Sequence, residues 1–310
     1  MSFHDDILGV HARLSAEQAE DLVAAVARAA VSWRQPRVEC PIYYAALDMA
    51  LDDEPPPFGT EAYAEIYRAA STDGHWLAVS LITNAEREGD GAKRLWSLAS
   101  CSSDGREQQS LKRHAVDESR HALAYLRLLD LAFPDAVSPS FRSELNALSP
   151  GFSLEAELFA VEGSPYAKEP SIDDFLQMNI AEIRTTIHHL MQRSALALHC
   201  PADNVPEVTE ILNGLLNDEL HHVAYTAALI ERRAINADSS LVFRLLRKRL
   251  HDFNEITRQE LGDNNMFDCS VACCAKRPSC RAKAPAPGFV SAPIYVTEAE
   301  STGQTEAIRN

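Results

Sequence analysis

One five-residue motif, Asp-Glu-x-x-His, occurs twice in the chain, each time within a stretch of helical periodicity. The first copy spans residues 117–121 and the second spans residues 218–222, about 100 residues later. Glu and His three positions apart lie on the same face of a helix, about one turn from each other. Two such helices facing each other bring two carboxylates and two imidazoles to one point, so the motifs predict a helical bundle around a shared site.

Each motif is preceded by a further glutamate in an upstream helical stretch. Glu86 lies 32 residues before Glu118, and Glu182 lies 37 residues before Glu219. Each half of the chain thus repeats one order, a glutamate on one helix followed by Glu-x-x-His on the next. This order is typical of bundles that hold two metal ions between four carboxylates and two imidazoles. These ligands favour iron or manganese over a thiolate-bound zinc ion.

The first upstream glutamate has a close neighbour, Glu88, that is an alternative ligand. Val79, Ile82 and Thr83 share the helical face of Glu86 and predict that Glu86 points inward. Glu88 takes that place if the helix is rotated about its axis. A carboxylate on an apolar face is costly unless it is paired or bound to a metal, and this cost is the main physical reason to expect metal ions.

Residues 75–234, about half of the chain, resemble the non-haem diiron carboxylate oxygenases of the ferritin-like superfamily. The resemblance implies that two aspartates, Asp117 and Asp218, orient the histidine of the opposite helix. His221 departs from the family, which often has Arg at that position, as at Arg120. The metal ligands that the resemblance implies are Glu86, Glu118, His121, Glu182, Glu219 and His222.

His114 precedes Glu118 by four residues and is a candidate seventh ligand. The p-aminobenzoate N-oxygenase group, which the chain resembles in general pattern, has an extra histidine ligand four residues before the Glu of its second motif. In this chain that position is Leu215, and the histidine stands in the first half instead. A histidine that is merely packed or hydrogen-bonded nearby is an equally good interpretation.

Two further residues are candidates for a catalytic role. Thr186 follows Glu182 by one turn, where diiron monooxygenases of bacteria carry a threonine, and Tyr125 lies close to the first motif. The alternatives are a threonine that bonds to its own helix and an aromatic residue of the core. His188 and His189 follow Glu182 by nearly two turns, about 10 Å along the axis, and are expected to be too far away to bind the same ion.

The fold class expected is all-α, a ferritin-like four-helix bundle with additional flanking helices. Apolar periodicity predicts long helices at about 75–100, 108–133, 172–199 and 208–234, and a fifth at about 241–261. Ser15 and Gln18 form a candidate capping box before an N-terminal helix. We divide the chain into an N-terminal helix with a Pro-rich connection (1–60), the diiron bundle (61–262) and a cysteine-containing tail (263–310) without apolar periodicity, expected to be disordered.

Charge and composition narrow the classes of function. A net charge of −16 disfavours nucleic acids and anionic membrane surfaces as partners. The sequence contains no apolar run near the ~20 residues that span a bilayer, and its N-terminus lacks the pattern of a signal peptide. Seven cysteines in such a chain suit the cytoplasm, and the spacing of the four in the tail matches no usual zinc or iron–sulfur motif.

These features predict an enzyme, an oxygenase that holds two iron ions (Fe2+/Fe3+) and uses dioxygen as co-substrate. Its substrate is expected to be a small organic molecule of specialised metabolism that is hydroxylated or N-oxygenated. An electron donor or reductase is an expected partner, and a homodimer and a manganese-containing site remain open. The rival prediction is a ferroxidase or other iron-handling protein without an organic substrate.

Overall fold

The computed structural model describes residues 22–235 and 239–260, and within these ranges every regular element is a helix. The expected all-α class is therefore confirmed for the described part. The helices are α1 (Leu22–Arg34), α2 (Pro41–Asp53), α3 (Glu61–Ala70), α4 (Gly74–Cys101), α5 (Gly105–Ala132), α6 (Pro139–Leu145), α7 (Ile172–His199), α8 (Val205–Ala234) and α9 (Ser239–Glu260). Short 3-10 turns lie at Pro57–Gly59, Asn146–Leu148 and Ala202–Asn204.

The four long helices α4, α5, α7 and α8 begin at defined capping residues or at a proline. Asp73 and Asp104 accept hydrogen bonds from the first backbone N–H groups of α4 and α5. Ser171 and Asp174 form a reciprocal capping box at the start of α7. Pro206, in the first turn of α8, lacks an N–H group where none would be bonded within the helix.

The long helices form two closely packed pairs, α4 with α5 and α7 with α8, and α5 and α8 join the pairs. The connections within each pair, residues 102–104 and 200–204, are short, so the partners run antiparallel. Three N-terminal and C-terminal helices, α1, α2 and α9, pack on the outside against α7 and α8. The predicted N-terminal packing helix is confirmed, because Val23, Val26 and Ala30 are buried in α1.

The apolar core is divided into two clusters, one toward each end of the long helices. On α4, Leu81 belongs to one cluster and Leu95 to the other. On α5 the order is reversed, with Leu111 in the second cluster and Leu126 in the first, as antiparallel packing requires. Buried glutamates and histidines occupy the layer between the two clusters.

The long helices end within three residues of the predicted positions, but the sequence-based prediction missed α2, α3 and α6. Within the Pro-rich connection, Pro41 opens α2, because the fixed backbone angle of proline favours the first helical turn. Helix α2 continues to Asp53, and Pro57–Gly59 forms a 3-10 turn.

Some predictions fall outside the described residues, namely the capping box at Ser15 and Gln18 and the tail 263–310 with its four cysteines. Among the described helices, none combines the length and the apolar character needed to cross a membrane.

Candidate metal centre

Two groups of buried acidic and histidine side chains lie in the polar layer between the apolar clusters. In each group, ligand atoms from four residues all lie within 4.8 Å of one another. The groups share one residue, Glu118, and therefore form one continuous cluster. Group A consists of His114, Glu118, Glu182 and His222, and group B consists of Glu88, Glu118, His121 and Glu219.

All four long helices contribute to this cluster, and α5 contributes three residues. His114, Glu118 and His121 follow one another at intervals of four and three residues, which places them on successive turns of one helical face. Nε2 of His114 lies 3.0 Å from Oε1 of Glu118 and 3.3 Å from Oε1 of Glu182. Helix α5 thus carries the centre of the cluster, and the other three helices close it.

The glutamate that α4 contributes is Glu88, and the prediction of Glu86 is wrong. Glu88 is 8% exposed and belongs to group B, whereas Glu86 is exposed on the surface of the helix. The buried stripe of α4 runs through Leu81, Ala85, Glu88 and Ala92. Val79, Ile82 and Thr83, which favoured Glu86, are only partly buried. Ala85 and Ala92 lie three residues before and four residues after Glu88, on the same face. Small residues at this spacing were the sequence signal for the side of α4 that packs inward.

His114 is brought into group A, as the interpretation of it as a seventh ligand requires. Its side chain is completely buried, and its ring lies 3.7 Å from the ring of His222. Nδ1 lies 2.7 Å from the hydroxyl of Tyr225, which leaves Nε2 directed at the carboxylates of Glu118 and Glu182. Tyr225 therefore fixes the orientation of a histidine that lies within ligand distance of two glutamates.

The two aspartates of the motifs contact the histidine of the opposite helix. Oδ2 of Asp218 lies 3.3 Å from Nε2 of His121, and Oδ2 of Asp117 lies 3.3 Å from Nε2 of His222. Arg120 donates to both aspartates, at 2.7 Å and 2.9 Å. The structure thus places Asp117 and Asp218 where the resemblance implied, and it shows one arginine connecting the two halves.

Because Nε2 of His121 and Nε2 of His222 each contact an aspartate, Nδ1 of each ring faces the glutamates. Nδ1 of His121 lies 3.2 Å from Oε1 of Glu219, and Nδ1 of His222 lies 3.5 Å from Oε1 of Glu118.

His221, by contrast, is not brought into either group. Burial lowers the pKa of His221 to about 4, so it adds no positive charge beside His222 at neutral pH.

The two candidate catalytic residues lie beside the cluster in different settings. The hydroxyl of Thr186 donates to the carbonyl oxygen of Glu182 at 2.8 Å, the alternative in which a threonine bonds to its own helix. Tyr125 is buried, and its hydroxyl lies 3.4 Å from Nε2 of His189. Burial and the nearby carboxylate of Glu88 raise the pKa of Tyr125 well above its usual value.

His189 lies next to group B, closer to the centre than its position along α7 indicated. Its Nε2 is 3.6 Å from Oε1 of Glu219, and the residue is fully buried. His189 follows Glu182 by nearly two turns of α7, but the carboxylate that approaches His189 comes from α8. A prediction based on one helix could not include this contact.

Burial and neighbouring polar groups shift the pKa values of the four glutamates in opposite directions. Burial raises the pKa of Glu182 to about 7 and that of Glu88 well above its usual value, and Glu118 adds to the effect on Glu88. Burial also acts to raise the pKa values of Glu118 and Glu219, but neighbouring groups outweigh it. Glu88 and His114 beside Glu118 lower its pKa to about 2. The pKa of Glu219 is held well below its usual range by the nearby imidazoles of His121, His189 and His222.

The donor atoms of the cluster fit a cation. Within the described ranges, Nδ1 of His121, Nδ1 of His222 and both carboxylate oxygens of Glu219 are buried and have no hydrogen-bond partner. Buried polar atoms without partners are rare, because they lose their contacts with water without replacement. These atoms converge on the same space and are oxygen and nitrogen donors, so each group could hold a metal ion.

Metal binding at neutral pH is expected to release at least two protons per chain, one from each motif histidine. Burial disfavours the imidazolium form, but the nearby carboxylates of Asp218 and Glu219 around His121, and of Asp117 and Glu219 around His222, raise both pKa values to about 10. Both rings are thus protonated at pH 7 without metal, whereas a metal ion binds the neutral ring. Affinity should rise with pH up to that value. A pH indicator in weakly buffered solution measures the release during anaerobic titration with ferrous ions, and binding without proton release contradicts the expectation.

Comparison of the chain with protein-family models, with curated proteins and with solved structures finds no match.

Proposed function

We propose that the chain is a dioxygen-activating diiron oxygenase, with one iron ion in group A and one in group B. The observation that carries the proposal is that the two groups share Glu118. A carboxylate with two oxygen atoms can bind one ion with each, so a shared glutamate supports a pair of ions held side by side. The proposed reaction is the hydroxylation or N-oxygenation of a small organic molecule.

The distribution of ligands over the helices supports a ferritin-like arrangement. Glu88 and Glu182 come from α4 and α7, and each of α5 and α8 adds a Glu-x-x-His pair. Di-metal carboxylate bundles take one glutamate from each of two helices and such a pair from each of the other two. His114 then gives group A a second imidazole, whereas group B has one imidazole and three carboxylates.

The charges of the cluster also favour two divalent ions. When they bind metal, four glutamates contribute four negative charges and the three histidines are neutral. Two ferrous ions balance these charges, which removes the repulsion that raises the pKa values of Glu88 and Glu182. A single divalent ion leaves two negative charges buried, which is costly in an apolar core.

The protein contributes orientation and a dry environment to the proposed reaction. Asp117, Asp218 and Arg120 fix the rings of His121 and His222, so the ligands need little rearrangement when metal binds. The apolar clusters on both sides exclude water from the polar layer. Two bound ferrous ions supply the electrons and open coordination positions that dioxygen activation requires.

Metal content and oxygen consumption test the proposal directly. The full chain, reconstituted with ferrous ions without oxygen, is expected to bind two irons, and its oxygen consumption is expected to increase with a suitable small organic molecule. Iron is measured by elemental analysis and oxygen with an electrode. One ion per chain, or tight binding of zinc alone, would contradict the diiron proposal. Oxidation of added ferrous ions without dependence on any organic compound would indicate the iron-handling alternative.

A further inference from the structure

Three buried side chains next to the metal centre have unmet hydrogen-bonding capacity. In the part of the chain that the structure describes, the hydroxyl of Tyr67, Oε1 of Gln192 and Nδ1 of His189 have no hydrogen-bond partner. Tyr67 is 6% exposed, Gln192 1% and His189 0%. A buried polar group without a partner destabilises the folded state, so three of them near each other need a physical explanation.

These side chains are neighbours, and they lead from group B toward α3. The ring of Tyr67 stacks with His188 of α7. Gln192 lies one turn after His188 and three residues after His189 on the same helix. Tyr125 stacks on the ring of His189 at 5.8 Å, and its hydroxyl lies 3.4 Å from Nε2 of His189. The same nitrogen of His189 lies 3.6 Å from Oε1 of Glu219 in group B. The unmet groups therefore belong to one polar region beside the metal centre.

This polar region lies between α4 and α7 and beneath α3. Helices α4 and α7 do not pack closely on each other, and α3 packs against α7. The ring of Tyr67 on α3 meets Trp76 of α4 edge-on at 5.4 Å and stacks with His188 of α7 at 6.2 Å. The hydroxyl of Tyr63, on the same face of α3, lies 2.5 Å from Nε2 of His188. Aromatic rings from three helices thus meet at Tyr67.

We propose that Tyr67, Gln192 and His189 bind the polar group of a small neutral organic substrate that lies between α4 and α7. That the bound molecule is the substrate rests on the proposed function, whereas the binding site itself does not. Ligand binding satisfies the groups that are unmet in the free protein. The position of His189 beside Glu219 places the bound molecule next to group B.

The chemistry of the three groups defines the class of ligand. Oε1 of Gln192 only accepts hydrogen bonds, so the ligand carries an O–H or N–H group. The Tyr67 hydroxyl donates or accepts, which suits a hydroxyl or a carboxamide. Neither Tyr67, whose pKa burial raises further above neutral, nor Gln192 supplies a formal charge to a buried ion, and a buried ion without a counter-charge is strongly disfavoured. The surrounding rings favour a flat apolar part, so a neutral aromatic alcohol or amide fits best.

The first test compares two tyrosine-to-phenylalanine variants of the metal-free full chain. Tyr67→Phe removes a hydroxyl without a partner and is expected to leave the Tm unchanged or raise it. Tyr43→Phe is the matched control, because the Tyr43 hydroxyl is fully buried and donates to Oδ1 of Asn179 at 2.6 Å. The control should lower the Tm by about 2–4 °C or more, because the buried Oδ1 of Asn179 loses its donor. An equal loss in both variants overturns the view that Tyr67 is unsatisfied.

The second test measures the binding of benzamide, a neutral aromatic amide, by calorimetry under argon with and without ferrous ions. Wild type and Tyr43→Phe should bind benzamide equally, whereas Tyr67→Phe and Gln192→Leu should each bind it about tenfold more weakly. Absence of binding in the wild type, or equal binding in all variants, overturns the site. Iron content is measured on the same samples. If the chain binds two irons but not benzamide, only the proposed binding site is contradicted. If the chain binds benzamide but takes up no iron, only the proposed diiron function is contradicted.

Discussion

Replacing Glu118 with Gln is expected to reduce the iron bound by the reconstituted chain from about two ions to nearly none. Glu118 belongs to both groups of ligands, and its Oε1 lies 3.0 Å from His114 and 3.5 Å from His222. The amide removes one negative charge and one oxygen donor from each ion at once. Changing a residue that contacts a metal ligand usually weakens metal binding roughly tenfold to hundredfold. Loss of a ligand itself should weaken it more. Elemental analysis after gel filtration measures the loss.

Glu86→Gln is the matched control for this experiment. It is the same substitution on the neighbouring helix α4, but Glu86 is exposed and lies outside both groups. This variant is expected to retain two irons, whereas Glu88→Gln should lose iron from group B. Far-UV circular dichroism should be unchanged in all three variants, because helix packing depends on the apolar clusters. Normal iron content in Glu118→Gln, or iron loss in Glu86→Gln, contradicts the assignment of the ligands.

The contrast between Glu86 and Glu88 shows the limit of what could be predicted from the sequence. The doubled motif predicted the positions of Glu118 and Glu219 correctly, because residues at i and i+3 share a face in any helix. An upstream glutamate has no such partner on its own helix. Its orientation depends on the rotation of α4 about its axis, which packing against α5 decides. Partly buried apolar residues such as Ile82 on an intermediate face made the wrong rotation plausible.

The helices around the bundle were harder to predict for a related reason. Helix α3 has ten residues and was not predicted, so no role was assigned from the sequence to its Tyr63 and Tyr67. Their role depends on residues of α4 and α7 that lie far away in the chain. Contacts between helices also explain His189, which was judged by its distance from Glu182 on α7 but approaches Glu219 of α8. Local periodicity thus predicted the long helices, while contacts among three helices required the structure.

A second large effect is expected at Gly89, the neighbour of Glu88 on α4. A Cβ atom at this position would overlap the carbonyl oxygen of Leu148, in the 3-10 turn that packs on the helix. This turn is anchored next to the clash, because Ser149 donates to the carbonyl oxygen of Ser119 at 2.6 Å. Gly89→Ala therefore forces the backbone of the turn or of α4 to shift. Overpacking of this kind costs about 1–3 kcal/mol of the free energy of unfolding.

Gly214→Ala on α8 is the matched control and is expected to have the opposite effect. A Cβ atom at Gly214 meets nothing within 4 Å, so alanine only reduces the conformational freedom of the unfolded chain. It should stabilise the protein by about 0.5–1 kcal/mol. Denaturant titrations of the metal-free variants measure both changes. Gly89→Ala should also weaken iron binding, because Glu88 moves with its helix, whereas Gly214→Ala should keep two irons. Equal stabilisation of both variants would show that α4 and the turn do not approach each other this closely.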